Sequence, residues 1–224
     1  MNADAPAPTA SNQAPRRTMM PPHMVLRDFL AADEVTGLLA HALTHEAAFA
    51  PTGLGRGAIN PSIRLSSGTR DLGPYRAILK TRILGQLPRL CTQLGMQSPD
   101  DPILETQLVA HSDGAFFKRH IDTQVHKPDA LRIRVLSGVY YFHAQPKAFT
   151  GGALRLYAIG HAGSGGEGGK DGFVDIEPVH NSLLVVPAWA PHEVMPVTCR
   201  SGRFEDSRFA VNCWVHRRKT EAAS

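Results

Sequence analysis

The segment ETQLVAHSDGAFFKRHIDT, residues 105–123, ends on a histidine and an aspartate one residue apart, His120 and Asp122. It alternates like a strand, and on a strand residues i and i+2 point to the same face. An imidazole and a carboxylate side by side supply two ligands to one metal ion. A second histidine from elsewhere completes a face of two imidazoles and one carboxylate, which binds a first-row metal such as iron and leaves its other positions open. His192, in PAWAPHEVMPV, meets that need 72 positions later, past several intervening strands. A rolled sheet brings strands that far apart in sequence to one mouth. Pro187, Pro191 and Pro196 predict rigid turns that hold the imidazole in place. H-x-D alone is common by chance; what surrounds it gives it weight.

A cation is the next element. In SRFAVNCWVH, Arg208, Ala210, Asn212 and Trp214 share one strand face. An arginine aimed into a barrel lined by apolar residues is costly without an anion. A bidentate carboxylate ligand satisfies it. Arg203 competes for the role but precedes a looser stretch, so strand position favours Arg208.

Other candidates carry less. His41 and His45 lie four apart and share a helix face as metal ligands do; no third ligand is near, and a solvated face is the plainer reading. Gly163, Gly165 and Gly168 fit the dinucleotide fingerprint by letter, yet Lys170, Asp171 and Gly172 lead into a strand rather than a helix. That stretch reads as a surface loop able to act as a lid. His126, His143, His161 and His180 fall at turns or strand ends and read as exposed or hydrogen-bonded structural residues. Trp189, near His192, borders a substrate entrance or packs in the core.

Around these residues the chain changes period once. Residues 1–22, rich in Ala, Pro, Thr and Asn, read as a flexible tail. A short apolar segment, His23–Leu30, leads into a helix marked by Asp33 and Glu34 at its start and by Val35, Leu38, Leu39, Ala42 and Leu43 at helical spacing. A Gly- and Pro-punctuated loop holds one strand near Ile63 and Leu65. A second helix spans Tyr75–Leu94, where Pro88 is expected to bend or restart it and Gly95 to stop it. After Asp100, Asp101 and Pro102 the pattern alternates, with strands at 103–110, 115–122, 131–143, 152–158, 173–178, 182–187, 192–198 and 207–216. The prediction is an α+β, mainly β domain over 23–216. Helices in 23–100 support a double-stranded β-helix (jelly roll) core at 101–216, and 217–224 form a short tail.

The 224 residues suit one domain with a sizeable core. A net charge of +4 suits an anionic small ligand and is too weak to argue nucleic acid. Cys91, Cys199 and Cys213 are scattered without zinc spacing, which points to a reducing compartment. Neither a membrane-length apolar run nor a secretory pattern is present, so no membrane partner is expected and the cytoplasm is the default.

Taken in order, the motifs resemble the prolyl-4-hydroxylase-like branch of the iron(II)- and 2-oxoglutarate-dependent dioxygenases. They run from KRHIDT through the tyrosine-bearing RVLSGVYYFH and the glycine pair of GGALRLY to APHEVMPV and SRFAVNCW. RDFLAADEVTGLLAHALTHE resembles the helix that opens many members, and the likeness covers about residues 23–216. The resemblance implies iron ligation by His120, Asp122 and His192. It implies that Arg208 and Tyr141 hold the distal carboxylate of 2-oxoglutarate, and that His111 stands where members often carry a tyrosine. It departs from the family at Ala210, where a serine or threonine is common, and in the 16-position gap from His192 to Arg208. The implied reaction is hydroxylation of an unactivated C–H, in a prolyl or other residue of a peptide or protein or in a small molecule. Dioxygen and 2-oxoglutarate are consumed, succinate and carbon dioxide are released, and ascorbate supports activity. A cupin-like metal enzyme without 2-oxoglutarate leaves Arg208 unexplained. A non-catalytic jelly-roll ligand-binding module has no need of the metal face.

Overall fold

The computed structural model describes residues 19–54, 57–123, 131–160 and 172–219. The stretch holding Gly163, Gly165 and Gly168, with His126, His161 and nearly all of the expected N-terminal tail, lies outside the described residues.

In chain order the elements are β1 (Met24–Arg27), α1 (Ala32–Thr44), β2 (Ala50–Pro51), β3 (Arg64–Leu65), β4 (Ser67–Thr69) and α2 (Tyr75–Gln93). Ten further strands follow: β5 (Ile103–His111), β6 (Phe116–His120), β7 (Arg132–Phe142), β8 (Thr150–Gly151), β9 (Leu154–Tyr157), β10 (Phe173–Ile176), β11 (Ser182–Pro187), β12 (His192–Val194), β13 (Val197–Thr198) and β14 (Arg208–Arg218). One sheet runs β1-β11-β7-β14-β5-β4-β2, a second runs β10-β9-β12-β6-β3, and β13 pairs with β8. This is the mainly β double-stranded β-helix with supporting helices that the change of period predicts.

Period-two alternation divides the core into two layers. On β7, Tyr140 joins Leu38, Leu79, Ile83 and Leu87 under the helices. Its neighbour Tyr141 faces the other way, into a second cluster with Leu154, Leu156, Leu184, Val186 and Ala210. Asn181 ties the helical layer to the sheet. Its side chain accepts from the Leu30 N–H and the Tyr140 hydroxyl and donates to the Leu30 carbonyl, each at 2.9 Å.

Two expectations need correction. Pro88 does not restart α2, which is one continuous helix of 19 residues with Leu79, Ile83, Leu87, Leu90 and Cys91 buried along one side. Proline removes one helical N–H; the burial of that apolar face outweighs the loss, and Gly95 and Met96 then close the helix by donating to Thr92 and Cys91 carbonyls. The strand expected at 192–198 is two strands, β12 and β13, separated at Met195 and Pro196. Pro196 has no N–H to continue a ladder, and its carbonyl accepts from Gly152 at 3.0 Å instead.

Candidate active site

His192 opens β12 directly across from His120, the last residue of β6. Their ring centroids are 4.3 Å apart. Each ring presents Nδ1 to a carbonyl two residues back, Lys118 at 2.8 Å for His120 and Ala190 at 2.9 Å for His192. A carbonyl only accepts, so each Nδ1 carries the proton and each Nε2 lone pair is free to ligate. Phe117 stacks on His120 at 3.6 Å. Burial, reinforced by His192, holds the His120 pKa well below the ordinary histidine value, so the ring is neutral at pH 7.

Asp122 reaches the same point by a route that differs from the expected strand alternation. β6 ends at His120, and the chain then turns. The N–H groups of Asp122 and Thr123 both donate to the Ala188 carbonyl, at 2.9 and 3.0 Å. The loop that precedes His192 therefore also holds Asp122. Burial pushes this carboxyl up, but His192 and His120, together with Ser137 and Trp214, pull it down further and leave it ionised. Its Oδ2 lies 3.7 Å from His192 Nε2, and Arg134 stands 3.9 Å from Oδ1. One ligand atom from each of His120, Asp122 and His192 lies within 4.8 Å of the other two. Ligands about 2.1 Å from one ion stand roughly 3–4 Å apart, so the donor set suits a metal after small side-chain adjustment.

Deeper in the barrel Arg208 is 1% exposed. One guanidinium nitrogen donates to His111 Nδ1 at 3.2 Å, while Nε and the other terminal nitrogen have no hydrogen-bond partner among the described residues. Burial first, then the charges of Arg208 and Arg64, drive the His111 pKa well below its usual value. His111 is thus a neutral acceptor. The Tyr141 hydroxyl lies near enough to the guanidinium to feel its charge, yet it is buried without a partner at hydrogen-bonding geometry among the described residues. Unpaired buried donors around one cation form a receptor for an anionic, oxygen-rich ligand, and a carboxylate end of 2-oxoglutarate has the matching chemistry. Arg203, the competing arginine, is spent at the surface on Glu205 at 2.7 Å and Asp206 at 3.1 Å.

The glycine pair has a steric reason. Gly152 has φ +72°, and a Cβ there would stand 2.6 Å from Arg208 Cδ; at Gly151 it would stand 2.3 Å from the Pro196 carbonyl oxygen. Gly152 thus leaves room for the arginine stem, and Gly151 lets the chain pass close to the Pro196 backbone.

Four supporting residues escaped the sequence reading. Arg134 lies over the Trp214 ring at 3.9 Å and pairs with Glu105 at 2.8 Å, which also accepts from His216 at 3.0 Å. Arg64 is buried over Phe117, and burial lowers its pKa to about 10 against the opposing pull of Asp122. Charges at inward strand positions were the available signal. His143 and His180 fulfil the structural expectation: the His143 N–H donates to His180 at 3.2 Å. Trp189 is 40% exposed and Ile121, between two of the three candidate ligands, 41%.

The sequence and the fold both resemble those of known proteins. Residues 106–216 match the 2OG-Fe(II) oxygenase superfamily. A curated relative, described as an uncharacterized PKHD-type hydroxylase of Synechocystis sp., is 37% identical over 142 residues, covering 63% of this chain and 46% of its own length. The chain thus spans about half the length of that relative. A Pseudomonas putida prolyl-4-hydroxylase superposes with TM-score 0.59 at 25% identity, over 88% of this chain and 94% of its own. A Trichoplax adhaerens prolyl hydroxylase, solved with a hypoxia inducible factor peptide fragment, gives 0.63 at 21% identity over 87% and 83%. The epimerase SnoN of nogalamycin biosynthesis gives 0.57 at 14% over 91% and 84%, a likeness of fold alone. Residues 106–216 are thus a 2OG-Fe(II) oxygenase domain, of an enzyme family that uses iron and 2-oxoglutarate. Among the described residues no helix is long and apolar enough to cross a membrane.

Proposed function

We propose that this protein hydroxylates an unactivated C–H, consuming 2-oxoglutarate and dioxygen and releasing succinate and carbon dioxide. The observation that carries the proposal is the pairing of the His120, Asp122 and His192 cluster with a buried Arg208 that keeps two nitrogens unpartnered. His120, Asp122 and His192 would hold iron(II). Bound there, iron would supply the redox chemistry that couples decarboxylation of 2-oxoglutarate to oxygen insertion, with ascorbate restoring the reduced metal. Arg208 and Tyr141 bind the distal carboxylate, and His111 fixes the guanidinium by accepting its proton-bearing edge. Phe117 and the buried barrel wall exclude water behind the imidazoles. Trp189 and Ile121 offer exposed apolar surface beside the ligands, suited to a side chain held over the metal.

The substrate we favour is a prolyl or other residue of a peptide or protein. The Pseudomonas putida prolyl-4-hydroxylase likeness supports that choice; a small molecule is the second candidate. Three cysteines that are free and buried accord with a reducing, cytoplasmic setting. A cupin-like metal enzyme that ignores 2-oxoglutarate would leave the Arg208 donors without purpose. The test is an anaerobic titration with iron(II) and then 2-oxoglutarate, following the visible charge-transfer band of a chelated keto acid. The band should be lost in His120→Ala and should need far more 2-oxoglutarate in Arg208→Met. A folded, iron-loaded protein that gives no band would sink the proposal.

A further inference from the structure

A second constellation of ligand-type residues lies on the helical layer. The last turn of α1 carries His41, the residue after its end is His45, and the turn before α2 carries Asp71. One ligand atom from each lies within 4.8 Å of the other two, the same closeness found at the His120 site. Sequence spacing places the two histidines on one face but offers no third ligand; the fold supplies it from the neighbouring turn.

We propose that His41, His45 and Asp71 form a second binding site, for a divalent transition metal of the zinc type, which clips the end of α1 to the start of α2. The imidazoles are already arranged for it. His45 Nδ1 faces the His41 carbonyl at 2.8 Å, so that nitrogen donates and Nε2 keeps its lone pair. The two rings lie 4.1 Å apart and only 30° from parallel, side by side on one face. His41 Nε2 is buried without a hydrogen-bond partner among the described residues and lies 3.8 Å from Asp71 Oδ1, too far for a hydrogen bond. It is near enough for both to reach one ion about 2.1 Å from each.

The carboxylate is held as well. The Asp71 N–H donates to Thr69 Oγ1 at 3.1 Å, and Asp71 Oδ1 accepts from the Gly73 N–H at 2.9 Å. Gly73 has φ +50°, and a Cβ there would stand 2.9 Å from His41 Cε1, so the turn is pressed onto the ring. Two imidazole nitrogens and one carboxylate oxygen favour zinc, nickel or copper over magnesium or calcium. Asp71 is more than half exposed, which leaves the outer side of the ion open to solvent. The site makes no use of the barrel residues, so it stands independently of the proposed reaction.

The test uses zinc(II) alone as the probe, with bound metal counted after equilibrium dialysis of the full chain. Zinc should also occupy the His120 site, so the unaltered protein should take up two equivalents. His120→Ala should keep one, at the helical layer, and zinc should then raise its melting temperature. Adding His45→Ala to that variant should abolish both the remaining equivalent and the melting shift. Asp71→Asn, at the surface, gives the same comparison should His45→Ala fold poorly. Uptake by His120→Ala that needs millimolar zinc, or that His45→Ala and Asp71→Asn leave unchanged, overturns the proposal and leaves only an ion pair between His41 and Asp71.

Discussion

Replacing Arg208 by methionine should have two effects of opposite sign. The guanidinium is fully buried, and two of its nitrogens lack hydrogen-bond partners among the described residues. An unpaired buried cation costs several kcal/mol, and exchange of buried charge for an apolar side chain is often neutral or stabilising by about 1–4 kcal/mol. His111 loses its donor, which gives back about 1 kcal/mol. The ligand-free variant should therefore be more stable by roughly 1–3 kcal/mol, a rise in melting temperature of about 2–12 °C for a chain of this size. The co-substrate should respond the other way. Two charge-assisted bonds of about 1.5–3 kcal/mol each correspond to a loss of 10²- to 10⁴-fold in 2-oxoglutarate affinity. At 100 times the unaltered protein's dissociation constant, 2-oxoglutarate stabilises that protein by about 2.7 kcal/mol and the variant hardly at all. Thermal melts of both proteins, iron-loaded under anaerobic conditions, with and without 2-oxoglutarate, read both effects together. A variant that melts lower in the ligand-free state and keeps its full 2-oxoglutarate shift would refute the reasoning that Arg208 waits for a carboxylate.

Gly152→Ala forces a left-handed residue to carry a Cβ against Arg208 Cδ; the backbone strain alone is about 1–2 kcal/mol. Weaker 2-oxoglutarate binding, by tenfold or more in calorimetry, is the expected result. Asn181→Ala removes three buried hydrogen bonds between the sheet and the helical layer and should cost about 3–5 kcal/mol, read from the urea midpoint. Glu105 is held at a pKa of about 2, first by its hydrogen bond from His216 and then, against burial, by Arg134. A lowered carboxyl stabilises the fold above its ordinary value of 4.5, and that contribution fades as pH falls from there toward 2. After allowance for solvent screening it is about 1–2 kcal/mol, and Glu105→Gln should flatten the acid limb of the stability profile over that interval.

Much of this was legible beforehand, for identifiable reasons. Chemistry-bearing residues stood out where a charge interrupts an alternating apolar strand, as at Arg208, or where imidazole and carboxylate sit one residue apart, as at His120 and Asp122. The glycine pair was readable as a motif, but its reasons, room for the Arg208 stem at Gly152 and close approach to the Pro196 backbone at Gly151, needed coordinates. Strand ends were less readable. Asp122 is aligned by the Ala188 carbonyl, and a backbone acceptor leaves no mark in residue type. Pro88 misled because a local rule was outweighed by the buried face of α2. Arg134, Glu105 and His216 form one network across β7, β5 and β14, and Asp71 reaches His41 from another turn; neither juxtaposition has a period to detect.

The carbonyl of Ala188 receives the N–H groups of Asp122 and Thr123, while the Ala188 N–H donates to Val135 at 3.0 Å. Four residues later the same loop delivers His192 to the metal face. Two of the three candidate ligands are thus fastened to one short piece of backbone, which cannot release one without loosening the other. Escape of a bound ion would then follow the opening of this loop as a single event. Amide hydrogen exchange at Asp122 and Thr123 would report it, slowing in step when the ion is bound, and the residence time of the metal would be set by the peptide chain as much as by its donor atoms.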